Sequence, residues 1–447
     1  MIRYFDSTPR PPVEGTEAPA RDGAGFLYLL GIPLAAGLAT AERFDILGFN
    51  YTGLMWMFFL VVGALLVLSE KTRPGETPIY FPLKPWLAWC AFLTLSLCWC
   101  EPLESRNLQD ALQLGMPVLV GVAASLFVRT EEQLDRLLRV FGPAVFLLAL
   151  CPVLTRLGGF AAMGLTPTNR SLGLTAALAG CVFMARFPER VAGPLFGWGI
   201  CILLTFVTGS RMATITLLFI PVLHPLYATQ LWRVVMILAI AGLGVGLFYS
   251  PIFQERFFYE GSGTLTDVLE GDFLSFGRFE SWPDIWDEAW RRPWLGAGVG
   301  SAYNFVPTVW EDMHHVHNDY LRVGFELGLT GLALFLGVVA WQLYDLRTRI
   351  EQSTGVTRTA FAASWLGLLV FLISAFTDNT LGYNLWFTNP LFAVMGAAYG
   401  VAGGRSPSSP LSALSSEPMG GLGFDDSRLR GPSHGPLADS GERGAES

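Results

Sequence analysis

Apolar residues in this chain come in unbroken runs, not in the alternation of a half-buried strand or the narrow stripe of a surface helix. The runs fall at about 24–40, 53–69, 83–100, 111–128, 137–155, 171–187, 194–209, 212–228, 231–250, 320–344, 359–377 and 383–402. Each is close to the roughly twenty residues that carry a helix across a bilayer. The pattern predicts an all-α polytopic membrane protein of about twelve transmembrane helices. One long connection, 251–317, separates spans nine and ten. The chain therefore divides into a polar start (1–22), spans one to nine (23–250), the long loop (251–317), spans ten to twelve (318–402) and a tail (403–447). The start is rich in Pro, Arg and acid, and the tail is rich in Ser, Pro and Gly without periodicity, so both are expected to be disordered. The first run ends at Ala39-Thr40-Ala41, which looks like a signal-peptidase site. The stretch before it is long and carries acids, unlike a compact basic leader, so the segment is read as a retained helix.

Basic residues test this arrangement, because they favour the cytoplasmic side of a span. Arg3, Arg10 and Arg21 precede the first run, and every second gap after it is basic: Lys71, Arg73 and Lys84; Arg129, Arg136 and Arg139; Arg186 and Arg190; Arg233; Arg347, Arg349 and Arg358. The tail adds Arg405, Arg428, Arg430 and Arg443. Both termini are expected inside, and the long loop outside. Composition agrees: 52% hydrophobic residues, 15% charged and a mean hydropathy of +0.44 exclude a soluble enzyme. The net charge of -8 says little about partners, and nothing points to nucleic acid. Cys90, Cys98, Cys100, Cys151, Cys181 and Cys201 lie in or beside apolar runs and read as small buried hydrophobes. No P-loop stands out, and the run Gly296-Ala297-Gly298-Val299-Gly300 lacks the strand and acid of a dinucleotide fingerprint, so no cofactor is expected.

The long loop has order of its own. Trp282, Trp286 and Trp290 recur at four-residue spacing with acids between them, which predicts an amphipathic helix. Such a helix either lies in the membrane interface with its indoles at headgroup depth or packs on the membrane domain; both make it a lid. Pro283 suits its first turn, and Arg291-Arg292-Pro293-Trp294 ends it.

The chain's chemistry is concentrated where this loop meets span ten, in Met313-His314-His315-Val316-His317-Asn318-Asp319-Tyr320. Histidine takes and returns a proton near neutral pH, so these side chains are candidates for acid–base work. They read equally as solvated loop histidines; a metal site lacks a nearby cysteine or suitably spaced Asp or Glu to complete its ligand set, so none is expected. Within span ten, Asn318, Arg322 and Glu326 follow a four-residue step and share a face. Glu326 should face protein with Arg322 as its partner, holding the helix and the loop end in place. Gly328, Gly331 and Gly337 are expected to admit a neighbouring helix. Arg211 opens span eight after Thr208-Gly209-Ser210, where a helix N-terminus and a guanidinium together suit a phosphate; the alternative is an arginine reaching to lipid headgroups. His224 reads as a span-end histidine, and Thr377-Asp378-Asn379 as a solvated turn whose Asp378 is a possible site carboxylate.

The His317-Asn318 pair at the end of a long external loop, followed by Glu326-Leu327-Gly328 and Gly331, resembles the signature of the O-antigen ligase superfamily. That superfamily comprises O-antigen ligases, O-antigen polymerases and protein O-oligosaccharyltransferases. The resemblance extends to the span count, the position of the loop, Arg211 at the outer end of its helix and Arg278 ahead of the tryptophans. Arg170, after Thr166-Pro167-Thr168-Asn169, departs from the Asn-Pro-Asn flavour of many relatives, and Arg156 is a similarly weak external candidate. The resemblance implies a metal-independent glycosyltransferase in the bacterial inner membrane with a periplasmic site. Its donor would be a glycan on undecaprenyl diphosphate and its acceptor a hydroxyl of lipid A-core sugar, with another lipid-linked repeat (a polymerase) or a protein side chain as alternatives. His317 would be the base, Arg211 and Arg278 the diphosphate ligands, and His315, Asn318, Arg322 and Glu326 their support. Direct displacement would invert the anomeric centre. A transporter or flippase is the competing class; it predicts internal repeats, discontinuous helices and mid-membrane charges, whereas no repeat is evident and most charges sit at span ends.

Overall fold

The computed structural model describes residues 23–38, 45–46, 49–71, 78–157, 169–187, 190–207, 210–226, 230–270, 272, 274, 278–311 and 313–404. The expectations for the polar start, Ala39-Thr40-Ala41, Thr166-Pro167-Thr168, Thr208-Gly209 and the tail beyond Gly404 lie outside these residues, as do the side chains of Arg156, Arg170 and Arg278.

In chain order the helices are α1 (Gly23–Leu38), α2 (Tyr51–Lys71), α3 (Leu83–Ser96), α4 (Ser105–Phe127), α5 (Glu131–Arg139), α6 (Phe141–Leu157), α7 (Asn169–Ala185), α8 (Ala192–Val207) and α9 (Arg211–Leu223). They continue with α10 (Gln230–Phe248), α11 (Pro251–Phe257), α12 (Leu265–Glu270), α13 (Arg278–Ala289), α14 (Ala302–Val309), α15 (Asp319–Gln352), α16 (Gly355–Ser374) and α17 (Asn389–Gly404). Among the described residues the strands are one short antiparallel pair, β1 (Asp45–Ile46) with β2 (Phe49–Asn50), in the register Asp45 to Asn50 and Ile46 to Phe49. Each of the twelve expected apolar runs contains a helix over part or most of its described residues. Among the described residues, five helices are long and apolar enough to cross a membrane: those at Gly53–Lys71, Ser105–Phe127, Asp319–Gln352, Gly355–Ser374 and Asn384–Gly404.

The core forms around α17 and α4, which pack side by side, with α7 and α16 beside them. The approach is close because Gly396 faces Gly121: a Cβ on Gly396 would lie 2.1 Å from the Gly121 carbonyl oxygen. α17 is buried almost throughout, whereas α2 exposes Met57, Phe58, Val61, Leu65 and Leu68. An apolar face of that extent suits hydrocarbon, not water. α4 begins a turn and a half before the expected run, and α5 is an amphipathic helix where a loop was expected. Thr130 caps α5 by accepting the Gln133 N–H at 3.2 Å, and its buried Leu134, Leu137 and Leu138 dock it on the bundle.

The two ends of the bundle differ in chemistry. At one end Arg186 binds Asp135 at 2.7 Å, Arg347 donates to the Pro225 carbonyl at 2.9 Å, and Thr357 donates to Glu131 at 3.2 Å. The basic gaps of the sequence thus meet one another there. His224 belongs to this end, with Nε2 on the Met184 carbonyl and Nδ1 accepting the Leu226 N–H, so both nitrogens serve the backbone. The other end gathers the start of α4, the long loop and the start of α15.

Candidate active site

The loop between α10 and α15 carries a small core: Ile285, Ala302, Val306, Met313 and Val316 pack on Leu321 and Phe325 of α15. Its attachment explains the glycine motif. α15 is interrupted at Gly328, whose backbone stands at φ 67°, ψ -174°. A break in a buried helix strands carbonyls on one side and N–H groups on the other. Loop backbone satisfies both sets: Ala297 and Gly298 N–H donate to the Phe325 and Glu326 carbonyls at 3.0 and 2.7 Å, and Leu329 and Thr330 N–H donate to Pro293 and Trp294 at 2.7 and 3.3 Å. A Cβ on Gly328 would lie 2.4 Å from Trp294 backbone, and one on Gly296 2.5 Å from Glu326 backbone. Gly328 therefore admits a loop, not a neighbouring helix, and the expectation of helix packing there is corrected. Among the described residues nothing lies within 4 Å of where a Gly337 Cβ would be, so none of the described helices packs closely there. A discontinuous helix was the transporter's mark, but this one is closed by loop backbone.

His317 sits at the mouth of α15 with φ 53°, the only positive φ at a non-glycine among the described residues. That conformation is costly for a residue with a Cβ and persists only where neighbours hold it. Here the His317 N–H donates to Asn379 Oδ1 at 2.9 Å and its Nδ1 lies 3.0 Å from Asn379 Nδ2. On one side the Val316 carbonyl accepts Trp282 Nε1–H at 2.9 Å; on the other Asn318 caps α15 by accepting the Leu321 N–H at 3.0 Å. Asp378 Oδ1 is 3.8 Å from His317 Nδ1. Asp378 and Asn379 are buried, so the expected solvated turn is corrected: it is stitched to the start of α15 by Asp319 N–H on the Ala375 carbonyl and Leu381 N–H on Asp319 Oδ2, both 2.8 Å.

Below the histidine lies a charged network. Arg322 donates through Nε to Glu326 at 3.1 Å and through Nη2 to Asp110 of α4 at 2.7 Å; Asp110 also pairs with Arg106 at 3.1 Å. Arg322, Asp110 and Glu326 are all buried, so each charge depends on its partners. Asn107 ties the same turn of α4 to the loop, donating to the Val299 carbonyl at 2.7 Å. The Arg106 guanidinium lies 4.5 Å over the Tyr303 ring, which stacks on His314 at 5.3 Å and meets His315 edge-on at 5.8 Å. The His315 ring is 6.2 Å from that of His317, so the network returns to the buried histidine.

α13 covers the other flank. It starts at Arg278, so Pro283 falls inside the helix and not in its first turn as expected. Ser281 and Ile285 are buried against the loop core and Trp282 contacts Phe376 edge-on at 6.0 Å, while Trp286 and Trp290 are each 51% exposed. The helix both docks and offers indoles outward. Between it and α15 is a cavity of about 540 Å³ lined by Trp282, Trp286, Trp290, Tyr320, Leu332 and Phe376, with Asn318 at its edge.

Arg211 is the first residue of α9, as the spacing predicts. Its Nη1 donates to the Leu274 carbonyl at 3.1 Å and its guanidinium lies 5.3 Å from the Phe257 ring, which joins it to the long loop. His317, His315, Asn318, Arg322 and Glu326 are thus in one network, and Arg211 meets the opposite stretch of the same loop. Arg106, Asp110 and Tyr303 were not anticipated, and Asn379 was expected only as part of a solvated turn. The one local signal was the Arg106–Asp110 step of four residues just before the apolar run of α4.

Residues 194–336 match the family model described as O-antigen ligase. A search of curated proteins finds no significant match to the chain.

Proposed function

From the O-antigen ligase superfamily, which the match supports, we propose that this chain transfers a glycan from undecaprenyl diphosphate to an acceptor hydroxyl on lipid A-core sugar. The coarser reading is a membrane glycosyltransferase of ligase or polymerase type. The observation that carries the finer one is the buried, strained His317, held by Asn379 beside Asp378 and followed in the chain by Asn318, which lines an apolar cavity. Transfer from a lipid diphosphate needs its negative charge stabilised and a proton taken from the acceptor oxygen. Arg211 at a helix N-terminus, with Arg278 at the start of α13, supplies cations for the diphosphate. The cavity under Trp282, Trp286 and Trp290 suits the carrier's hydrocarbon. The acceptor O–H loses its proton to His317 as its oxygen bonds to the anomeric carbon; the C–O bond to phosphate breaks with its electron pair, and the centre inverts. Arginines neutralise the leaving group, so no metal is required. The site is assigned to the periplasmic face of the inner membrane, with both termini cytoplasmic.

The test is transfer by the purified chain in bilayers, with polyprenyl-diphosphate glycan as donor and with lipid A-core or a second lipid-linked glycan offered as acceptor. Capped lipid A-core formed in the presence of chelator supports the ligase; lengthening of the lipid-linked glycan alone makes it a polymerase. Movement of donor without bond change makes it a transporter.

Arg211→Lys keeps the charge but loses the planar fork. Transfer is expected to fall about tenfold to a hundredfold, the worth of a hydrogen bond to a charged group. Initial rates against donor concentration measure this, and rates equal to the parent's would make Arg211 a loop anchor only.

A further inference from the structure

The clamp on His317 has a fixed polarity. A backbone N–H only donates, and the atom it meets is Asn379 Oδ1 at 2.9 Å. That orients the amide, so the atom 3.0 Å from His317 Nδ1 is the amide nitrogen, which also only donates. Nδ1 is therefore the acceptor of this pair, and a neutral imidazole with an accepting Nδ1 carries its proton on Nε2. Such a ring offers the substrate a donor, whereas a base needs a lone pair on Nε2.

We propose that Asn379 is a positioning residue that holds His317 in its Nε2–H tautomer, and that exchange of Nδ1 from Asn379 to Asp378 converts the ring into a base. Asp378 Oδ1 lies 3.8 Å from the same nitrogen and already accepts the Asn379 N–H at 2.9 Å, so the two partners form one unit. In the exchange Nδ1 gains a proton from water and Nε2 loses one to water, with no change in net charge. The Nε2 lone pair then takes the acceptor's proton, and Asp378 faces the imidazolium. The base role rests on the glycosyl-transfer reading; the tautomer does not. The titratable and charged groups around the ring are Asp378 from the turn after α16 and His315 from the loop, 6.2 Å between rings. On α15 there are Asp319, bound to the Leu381 N–H, and Arg322, bound to Asp110 and Glu326.

The full chain labelled with 15N-histidine, in lipid bilayers, reports the tautomer by solid-state NMR, with His317 assigned by subtraction of a His317→Asn spectrum. The expected signal is a protonated Nε2 and a bare Nδ1. Asn379→Asp keeps an oxygen for the backbone N–H and puts an acceptor where the donor was, so the proton should move to Nδ1. A carboxylate there favours the charged ring, so the acid limb of the kcat–pH profile should move up by about one unit. Asn379→Ala removes the donor without adding charge and should leave a mixture of tautomers. Asp378→Asn should lower kcat about tenfold or more with KM unchanged. A protonated Nδ1 in the parent spectrum, or a parent-like spectrum and pH profile in Asn379→Asp, would overturn the proposal. No transfer by the parent chain overturns the functional reading instead, because the NMR signal needs no substrate.

Discussion

Replacing His317 with alanine is expected to lower transfer about a hundredfold to ten-thousandfold, the range over which a positioned acid or base contributes. The protein should still insert and fold, because the ring is not part of the main core. The groups that fix the start of α15 belong to its neighbours: the Asn318 cap, the Asp319 N–H on Ala375 and the Trp282 indole on Val316. His317→Asn is the gentler companion. Asparagine visits the left-handed region more readily than other residues with a Cβ, so φ 53° is less strained, yet it has no titrating group. Both variants should therefore lose rate alike while their melting temperatures stay near the parent's. Turnover above about a tenth of the parent's in either would remove His317 from the proton transfer.

How much of this was readable beforehand depended on whether the signal was local. The helical segments were readable because a span needs a continuous apolar run, and arginines marked one end of the bundle. The Arg322–Glu326 pair was readable because i and i+4 share a helical face. The pairing of Arg322 with Asp110, 212 residues away, carried no such sign, because only the packing of α4 on the loop and α15 brings them together. Asp378 and Asn379 read as a solvated turn because polar residues between two apolar runs usually are one. Their burial comes from the start of α15, 62 residues away. The glycines at 296, 298 and 300 lack the strand and acid of a nucleotide fingerprint; what requires them is backbone at φ 67°, 94° and 78° lying against other backbone.

That requirement makes Gly328→Ala the variant with the largest expected loss of stability. At φ 67°, ψ -174° glycine is close to the only residue tolerated, at a cost of about 1–3 kcal/mol for any other. The new Cβ would also meet the Trp294 backbone at 2.4 Å, which forces the loop away. The four hydrogen bonds between the loop and the broken helix then go, each worth about 1 kcal/mol when kept. With them goes the segment that holds Val299 to Asn107, so the charged network loses its cover as well. The purified chain in detergent should unfold well below the parent's temperature, or fail to fold. Gly337→Ala in the same helix is the control: with open space around it and an ordinary helical backbone, it should gain up to about 1 kcal/mol. Equal melting temperatures for the parent and Gly328→Ala would mean that α15 can run straight through without the loop. The loop would then have no reason to end where it puts His317, and the proposed site would lose the structure that positions it.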